Sequence, residues 1–258
     1  MSKPIKGLIL DLDGTLYLGD AEVPGAGDFV RRMHGRGVRC LFVTNRANRT
    51  PGQICEQLRG FGIDGNEDDV ITSSHATARS LRNSSAYVVG EPALIEALQA
   101  EQVTVTEEAP DHVVVGFDRT FTYAKLRTAC RLISRGARFI ATNPDHFLKV
   151  DGGHDPGTGA IVAAVSVGSG TQPTVIGKPE PALVEMSLEV LGLAKDEVLM
   201  VGDNLATDIR AGAAAGVPTA LILTGVSTRT EGETADPRPT WIVDDYSALT
   251  RLVEEGAP

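Results

Sequence analysis

The segment Asp11-Leu12-Asp13-Gly14-Thr15-Leu16 sets two carboxylates one residue apart, directly after the apolar run 5–10. Two negative charges so close together at the end of a buried segment are costly to keep ionised. A divalent cation offsets that cost. In such a setting one Asp can attack an electrophile while the other moves a proton. The competing reading is an ordinary turn, because Asp-Gly is a common turn dipeptide.

Three further places put chemistry-bearing residues beside an apolar run. Thr44-Asn45 ends the stretch VRCLFVT, and a hydroxyl and a backbone N–H there suit phosphate oxygens; a capping or Asx-turn role is the alternative. Lys178, in Ile176-Gly177-Lys178-Pro179, suits a phosphate clamp or a charge that balances an acidic site, although an isolated Lys is usually a solvated surface group. It is not a P-loop lysine: Gln172 stands where that pattern needs Gly, and Pro179 follows the Lys. Gly202-Asp203-Asn204-Leu205-Ala206-Thr207-Asp208 follows the apolar run 198–201. Asp203 has the hard oxygen donor of a cation ligand and Asp208 could support it, or Asp208 could simply favour the first turn of a helix.

Strands must deliver these groups. Short apolar runs at 5–10, 38–44, 70–72, 86–89, 112–115, 138–141, 198–201, 219–223 and 241–243 read as strands. Helical patterns lie between them. Phe29, Val30 and Met33 mark one helix, closed by Gly35 or Gly37, and Thr50-Pro51-Gly52-Gln53 opens another with an N-cap and a proline in the first turn. Thr122 caps a helix with Leu126, Ala129, Cys130 and Ile133 on one face. Residues 151–159, with four glycines and a proline, and the polar stretch 225–240 read as connections. The alternation argues an α/β protein with a parallel sheet, in which ligands sit at the carboxyl ends of the strands.

Composition narrows the class of partner. The 258 residues carry 24 Lys and Arg against 34 Asp and Glu, a net charge of −10, which argues against a nucleic-acid polymer or an anionic membrane as partner. The charge is uneven: residues 1–50 carry a net +3 and residues 179–258 a net −9. Cys40, Cys55 and Cys130 are an odd count with no Cys-x-x-Cys pair, which predicts free thiols. With no apolar leader at the start, this predicts a cytoplasmic location.

Taken together and in order, DxDGTL, Thr-Asn, Gly-Lys-Pro and GDNxxTD resemble the haloacid dehalogenase superfamily of phosphohydrolases. The second Asp is the phosphatase and phosphomutase form of that motif. The stretches VVVGFDRTFTYAKLRTACRLI, FIATNPD and PGTGAIVAAV further resemble its NagD-like branch, which includes 4-nitrophenyl-, phosphoglycolate, pyridoxal phosphate and nucleotide phosphatases. The resemblance implies a Rossmann-like parallel-sheet core, residues 1–80 and 175–258, with a smaller α/β cap inserted at 81–174. It implies a Mg²⁺-dependent hydrolase of small phosphate esters. Asp11 would be the nucleophile and Asp13 the acid and base. Asp11, the Asp13 carbonyl and Asp203 would hold Mg²⁺. Thr44, Asn45, Lys178 and Asn204 would bind the phosphoryl group, and Asp208 would orient Lys178 or metal-bound water. Asn143 and Asp145 resemble cap residues facing the core. The family often has Asn where this chain has Arg46, so Arg46 either contacts a substrate anion or is solvated; His154 either lines the pocket or is an exposed loop residue. The resemblance also allows a homodimer through the caps. The alternatives are a phosphomutase or phosphotransferase, and a non-catalytic phosphometabolite-binding member of the fold.

Overall fold

The structure is a computed structural model that describes residues 4–150 and 153–255. The chain divides into two compact units. The first comprises Met1–Thr44, Pro51–Ile71 and Lys178–Pro258, and the second Asn45–Thr50 and Thr72–Gly177.

The first unit is built on a six-stranded sheet. Its spatial order is Trp241–Val243, Thr219–Ile222, Val198–Gly202, Gly7–Asp11, Arg39–Thr44 and Val70–Thr72, and the first five strands run parallel. Gly7–Asp11 is central and buried along its whole length, which explains the uninterrupted apolar run. Leu8, Ile9 and Leu10 are fully buried, each contributing about 2 kcal/mol of transfer free energy. The helix Ala26–Gly35 turns Ala26, Phe29, Val30 and Met33 to the core at the spacing of one helical face. Gly37 then takes φ 76°, a left-handed conformation that glycine adopts without strain. The apolar cluster joins Leu8, Leu10, Phe29, Met33, Phe42, Val201 and Leu249.

The second unit has its own five-stranded parallel sheet, in the order Thr174–Val175, Arg138–Ala141, His112–Val115, Ser85–Val89 and Thr104–Val105. Helix Tyr123–Ser134 buries Ala129, Leu132 and Ile133 and is N-capped by Thr122, whose hydroxyl accepts from Lys125 N at 3.3 Å. It packs with helix Thr158–Ser169 over Val113, Val115 and Phe139.

Four details differ from the sequence expectations. The second unit begins at Thr72 rather than 81, because helix Ser73–Ser80 packs on Pro92–Ala100 through Ala78 and Leu81. It extends to Gly177, because Thr174–Val175 pairs with Ile140 and Ala141 as an edge strand of the second sheet. The glycine-rich stretch contributes to an antiparallel hairpin, Phe147–Val150 with Gly153–Pro156; of that stretch, 151 and 152 lie outside the described residues, as does the Lys149 side chain. The polar connection 225–240 holds a short helix, Arg229–Thr234, started by a capping box between Thr228 and Glu231. Cys40, Cys55 and Cys130 are free thiols. Among the described residues, no helix is long and apolar enough to cross a membrane.

Candidate active site

Strand register brings distant motifs of the first unit to one edge of its sheet. Asp11 lies level with Val43, so Thr44 is one residue further on; on the other side Leu10 lies level with Val201, so Gly202 comes level with Asp11 and Asp203 is one residue further on. The carboxyl ends of the three central strands therefore present Asp11, Thr44 and Asp203 together. Leu12 is fully buried, and in extended chain its neighbours Asp11 and Asp13 project to the other side. Asp13 bridges to Tyr17 and is exposed, whereas Asp11 is buried.

Asp11, Asp203 and Asp208 are all buried, and one oxygen from each lies within 4.8 Å of the others. Lys178 is buried with them. Its Nζ donates to Asp11 Oδ1 and, at 2.7 Å, to Asp208 Oδ1. Asp208 Oδ2 accepts from Asn204 N at 3.2 Å, so both oxygens of Asp208 are engaged by its own chain. Asp208 is thus in direct contact with Lys178.

Electrostatics follow from three buried carboxylates and one ammonium. Burial, then the Asp208 carboxylate, pushes Asp11 well above the usual carboxylate range, against the pull of Lys178. Burial and Asp208 raise Asp203 to about 6. Burial opposes the charge on Lys178, but Asp11 and Asp208 outweigh it and hold Lys178 above its ordinary value. The cluster is thus short of positive charge. Its hard, buried oxygen donors fit a small divalent cation.

Glycines make room for these carboxylates. A Cβ on Gly14 would lie 2.3 Å from Asp203 Oδ2, and one on Gly225 only 1.9 Å from it. A Cβ on Gly202 would lie 2.3 Å from Asp208 Cβ. Val226 N donates to Asp203 Oδ2 at 2.7 Å. Thr224 Oγ1 and Tyr246 Oη tie down the Asp13-Gly14-Thr15 loop through the carbonyls of Gly14 (2.7 Å) and Thr15 (2.8 Å). These supporting residues were not expected from sequence. The one signal for Gly225 and Val226 is their position after the strand Thr219–Ile222.

The remaining expected residues fall elsewhere. Asn204 is half-buried and its Oδ1 accepts from Ala206 N at 2.9 Å, a helix-capping bond. Asn45 follows Thr44 but belongs to the second unit. There its carbonyl accepts from Ser73 Oγ (2.6 Å) and Asn143 Nδ2 (2.8 Å), and its Nδ2 donates to Asp145 Oδ1 at 3.2 Å. Asn143 Oδ1 also accepts from Asp145 N at 3.1 Å. Asn143 and Asp145 thus clamp the backbone and side chain of Asn45. Arg46 is half-buried. His154 is exposed on the hairpin, edge-on to Phe147 with ring centroids 4.5 Å apart.

Residues 8–104 match the haloacid dehalogenase-like hydrolase model, and residues 175–249 match a second hydrolase model of the same type. The chain is 43% identical to the 5'-nucleotidase YutF of Bacillus subtilis, over 95% of this chain and 97% of that one. Its structure resembles NagD from E. coli with a TM-score of 0.90 and 36% identity, covering 95% and 98% of the two chains. It also resembles a glycerol phosphate phosphatase from Mycobacterium tuberculosis, solved in complex with calcium, with a TM-score of 0.90 and 33% identity, covering 96% and 76%.

Proposed function

Because this chain belongs to the haloacid dehalogenase-like hydrolases, as a NagD-like phosphatase, we propose that it is a Mg²⁺-dependent hydrolase of small phosphorylated metabolites that works through an aspartyl-phosphate. The observation that carries this reading is the contact of Lys178 with both Asp11 and Asp208, beside Asp203, at the carboxyl end of the central strands.

In the proposed reaction an Asp11 oxygen attacks phosphorus, and the bond to the ester oxygen breaks as that oxygen takes a proton from Asp13. Exposure of Asp13 suits a group that must meet both the leaving alcohol and water. Asp13, now ionised, takes a proton from water as the water oxygen attacks phosphorus. The bond to Asp11 breaks, and inorganic phosphate leaves. Lys178 and the Thr44 hydroxyl hold phosphoryl oxygens, with the Asn45 N–H beside them, so charge is stabilised where it develops. Asp208 keeps Lys178 protonated and aimed. Mg²⁺, held by the carboxylates of Asp11 and Asp203 and the Asp13 carbonyl, would supply the positive charge that lets a phosphate dianion approach a carboxylate.

A small ester as substrate rests on the printed activities of the relatives, a 5'-nucleotidase and a glycerol phosphate phosphatase, and on the net acidic chain. The test is phosphate release from p-nitrophenyl phosphate with and without Mg²⁺, followed by a screen of nucleoside monophosphates, sugar phosphates, phosphoglycolate and glycerol phosphate. Asp11→Asn is expected to lose roughly 10³-fold or more in turnover while keeping its fold. Substantial activity in that variant would overturn the mechanism.

A further inference from the structure

Asp13 is exposed, and an exposed carboxylate on a loop has several rotamers open to it. Proton transfer needs one direction, held to within a fraction of an ångström. The residue that can impose it lies further along the same loop. Leu12 O accepts from Tyr17 N at 3.3 Å, and Gly14 N donates to Tyr17 O at 2.8 Å. The peptides on either side of Asp13 are thus tied to the N–H and C=O of Tyr17, which makes the two residues partners in a parallel bridge. Bridge partners send their side chains to the same side of the backbone.

Tyr17 is anchored where Asp13 is not. It is 1% exposed, and its ring stacks on Phe61 with centroids 5.2 Å apart and planes inclined by 27°. Its backbone also pairs with Glu22 across the hairpin Tyr17–Leu18 with Ala21–Glu22. From this fixed position the Tyr17 hydroxyl donates to Asp13 Oδ2 at 3.5 Å, the outer limit of a hydrogen bond. Hydrogen bonds of catalytic groups are often long without substrate and shorten in the bound complex.

We propose that Tyr17 is a positioning residue for Asp13, whose hydroxyl holds Oδ2 and so confines the moving proton to Oδ1. This rests on the phosphatase reading and on the acid and base role given there to Asp13. A protonated carboxyl carries its proton on one oxygen, and an O–H donor aimed at Oδ2 disfavours a proton there. One contact then serves both steps. As acid, Asp13 gives the Oδ1 proton to the ester oxygen while the bond from phosphorus to that oxygen breaks. As base, Asp13 takes a proton from water onto Oδ1 while the water oxygen attacks phosphorus. Tyr17 keeps its own proton throughout.

Tyr17→Phe removes the hydroxyl and keeps the ring against Phe61. The test is kcat/KM of this variant and of the wild type, with Mg²⁺, across substituted phenyl phosphates from p-nitrophenyl to unsubstituted phenyl, with urea unfolding alongside. Unsubstituted phenolate is the more basic leaving group and depends most on the proton; nitrophenolate leaves with little help. In the variant, kcat/KM should fall about tenfold or more for phenyl phosphate and less than about threefold for p-nitrophenyl phosphate. A merely structural hydroxyl would lower both alike. Equal losses along the series, no loss at all, or a variant that does not fold would overturn the proposal. Wild-type protein that hydrolyses none of these esters would overturn the phosphatase reading beneath it.

Discussion

Gly225 and Asp203 meet so closely that a Cβ on the glycine would lie 1.9 Å from Oδ2 of the carboxylate. The adjacent Val226 N donates to that same oxygen at 2.7 Å. The loop after one strand thereby positions the acid delivered by its neighbour. Gly225→Ala must displace the Asp203 carboxylate. It should lower turnover of p-nitrophenyl phosphate at least tenfold and weaken Mg²⁺ dependence, while overpacking costs about 1–3 kcal/mol of stability. Steady-state kinetics over a Mg²⁺ series, with urea unfolding alongside, measures both. Wild-type kinetics in this variant would show that the carboxylate position is not critical.

Lys178 is, among the described residues, the one ammonium hydrogen-bonded to both Asp11 and Asp208. Lys178→Met leaves those buried carboxylates without it. Breaking a buried pair in this way costs on the order of 3–5 kcal/mol, so the variant should unfold at markedly lower urea. Its phosphatase activity should fall by roughly 10² or more. Because the cost arises from repulsion, added Mg²⁺ should restore part of the stability and none of the turnover.

Asp203 reports on the same imbalance with opposite sign. Burial and Asp208 raise its folded pKa to about 6, above the ordinary 3.8. The unfolded chain therefore ionises it more readily. In the metal-free protein this group disfavours the fold fully above about pH 6, and that penalty is relieved as pH falls from 6 toward 4. Asp203→Asn should accordingly stabilise the metal-free protein at pH 7.5, by about 2 kcal/mol, while removing most activity. Thermal melts in the presence of a chelator measure the first effect. A destabilised Asn variant would contradict this account of the cluster.

His75 makes the second unit sensitive to acid. It sits three residues after the Thr72 N-cap, and its Nδ1 accepts from Thr72 N at 3.4 Å to close a capping box. Burial lowers its pKa from 6.5. The unfolded state therefore takes up the proton first. The stability contributed by neutral His75 is present above about pH 6.5 and is lost as pH falls below it. His75→Gln can keep the capping geometry without titrating. Calorimetric melts between pH 7.5 and 5 should show a shallower acid loss for this variant than for the wild type; parallel curves would remove His75 from the account.

The residues proposed to carry chemistry were legible in the sequence because Asp11, Thr44 and Asp203 each lie at or just past the end of a strand. An apolar run that ends in Asp11 or Thr44, or is followed by Gly202-Asp203, is a local pattern, and a parallel sheet sends such strand ends to one edge by its topology. The strands 112–115, 138–141 and 241–243 fall where their apolar runs predict for the same reason. Contacts between residues far apart in the chain were decided only by the tertiary structure. Lys178 and Asp11 are 167 positions apart, and no local pattern states that one ammonium bridges Asp11 and Asp208. Thr174–Val175 is too short to reveal which sheet it joins, and register with Ile140 and Ala141 settles that. Asn204 and Asn143 carry the same side chain whether they bind a ligand or hold backbone; only the neighbours brought by folding make one a cap and the other a clamp on Asn45. Sequence determined which functional groups reach the edge of the sheet. Packing determined which of them touch, because hydrogen bonds and close approach depend on separations in space that chain order does not encode.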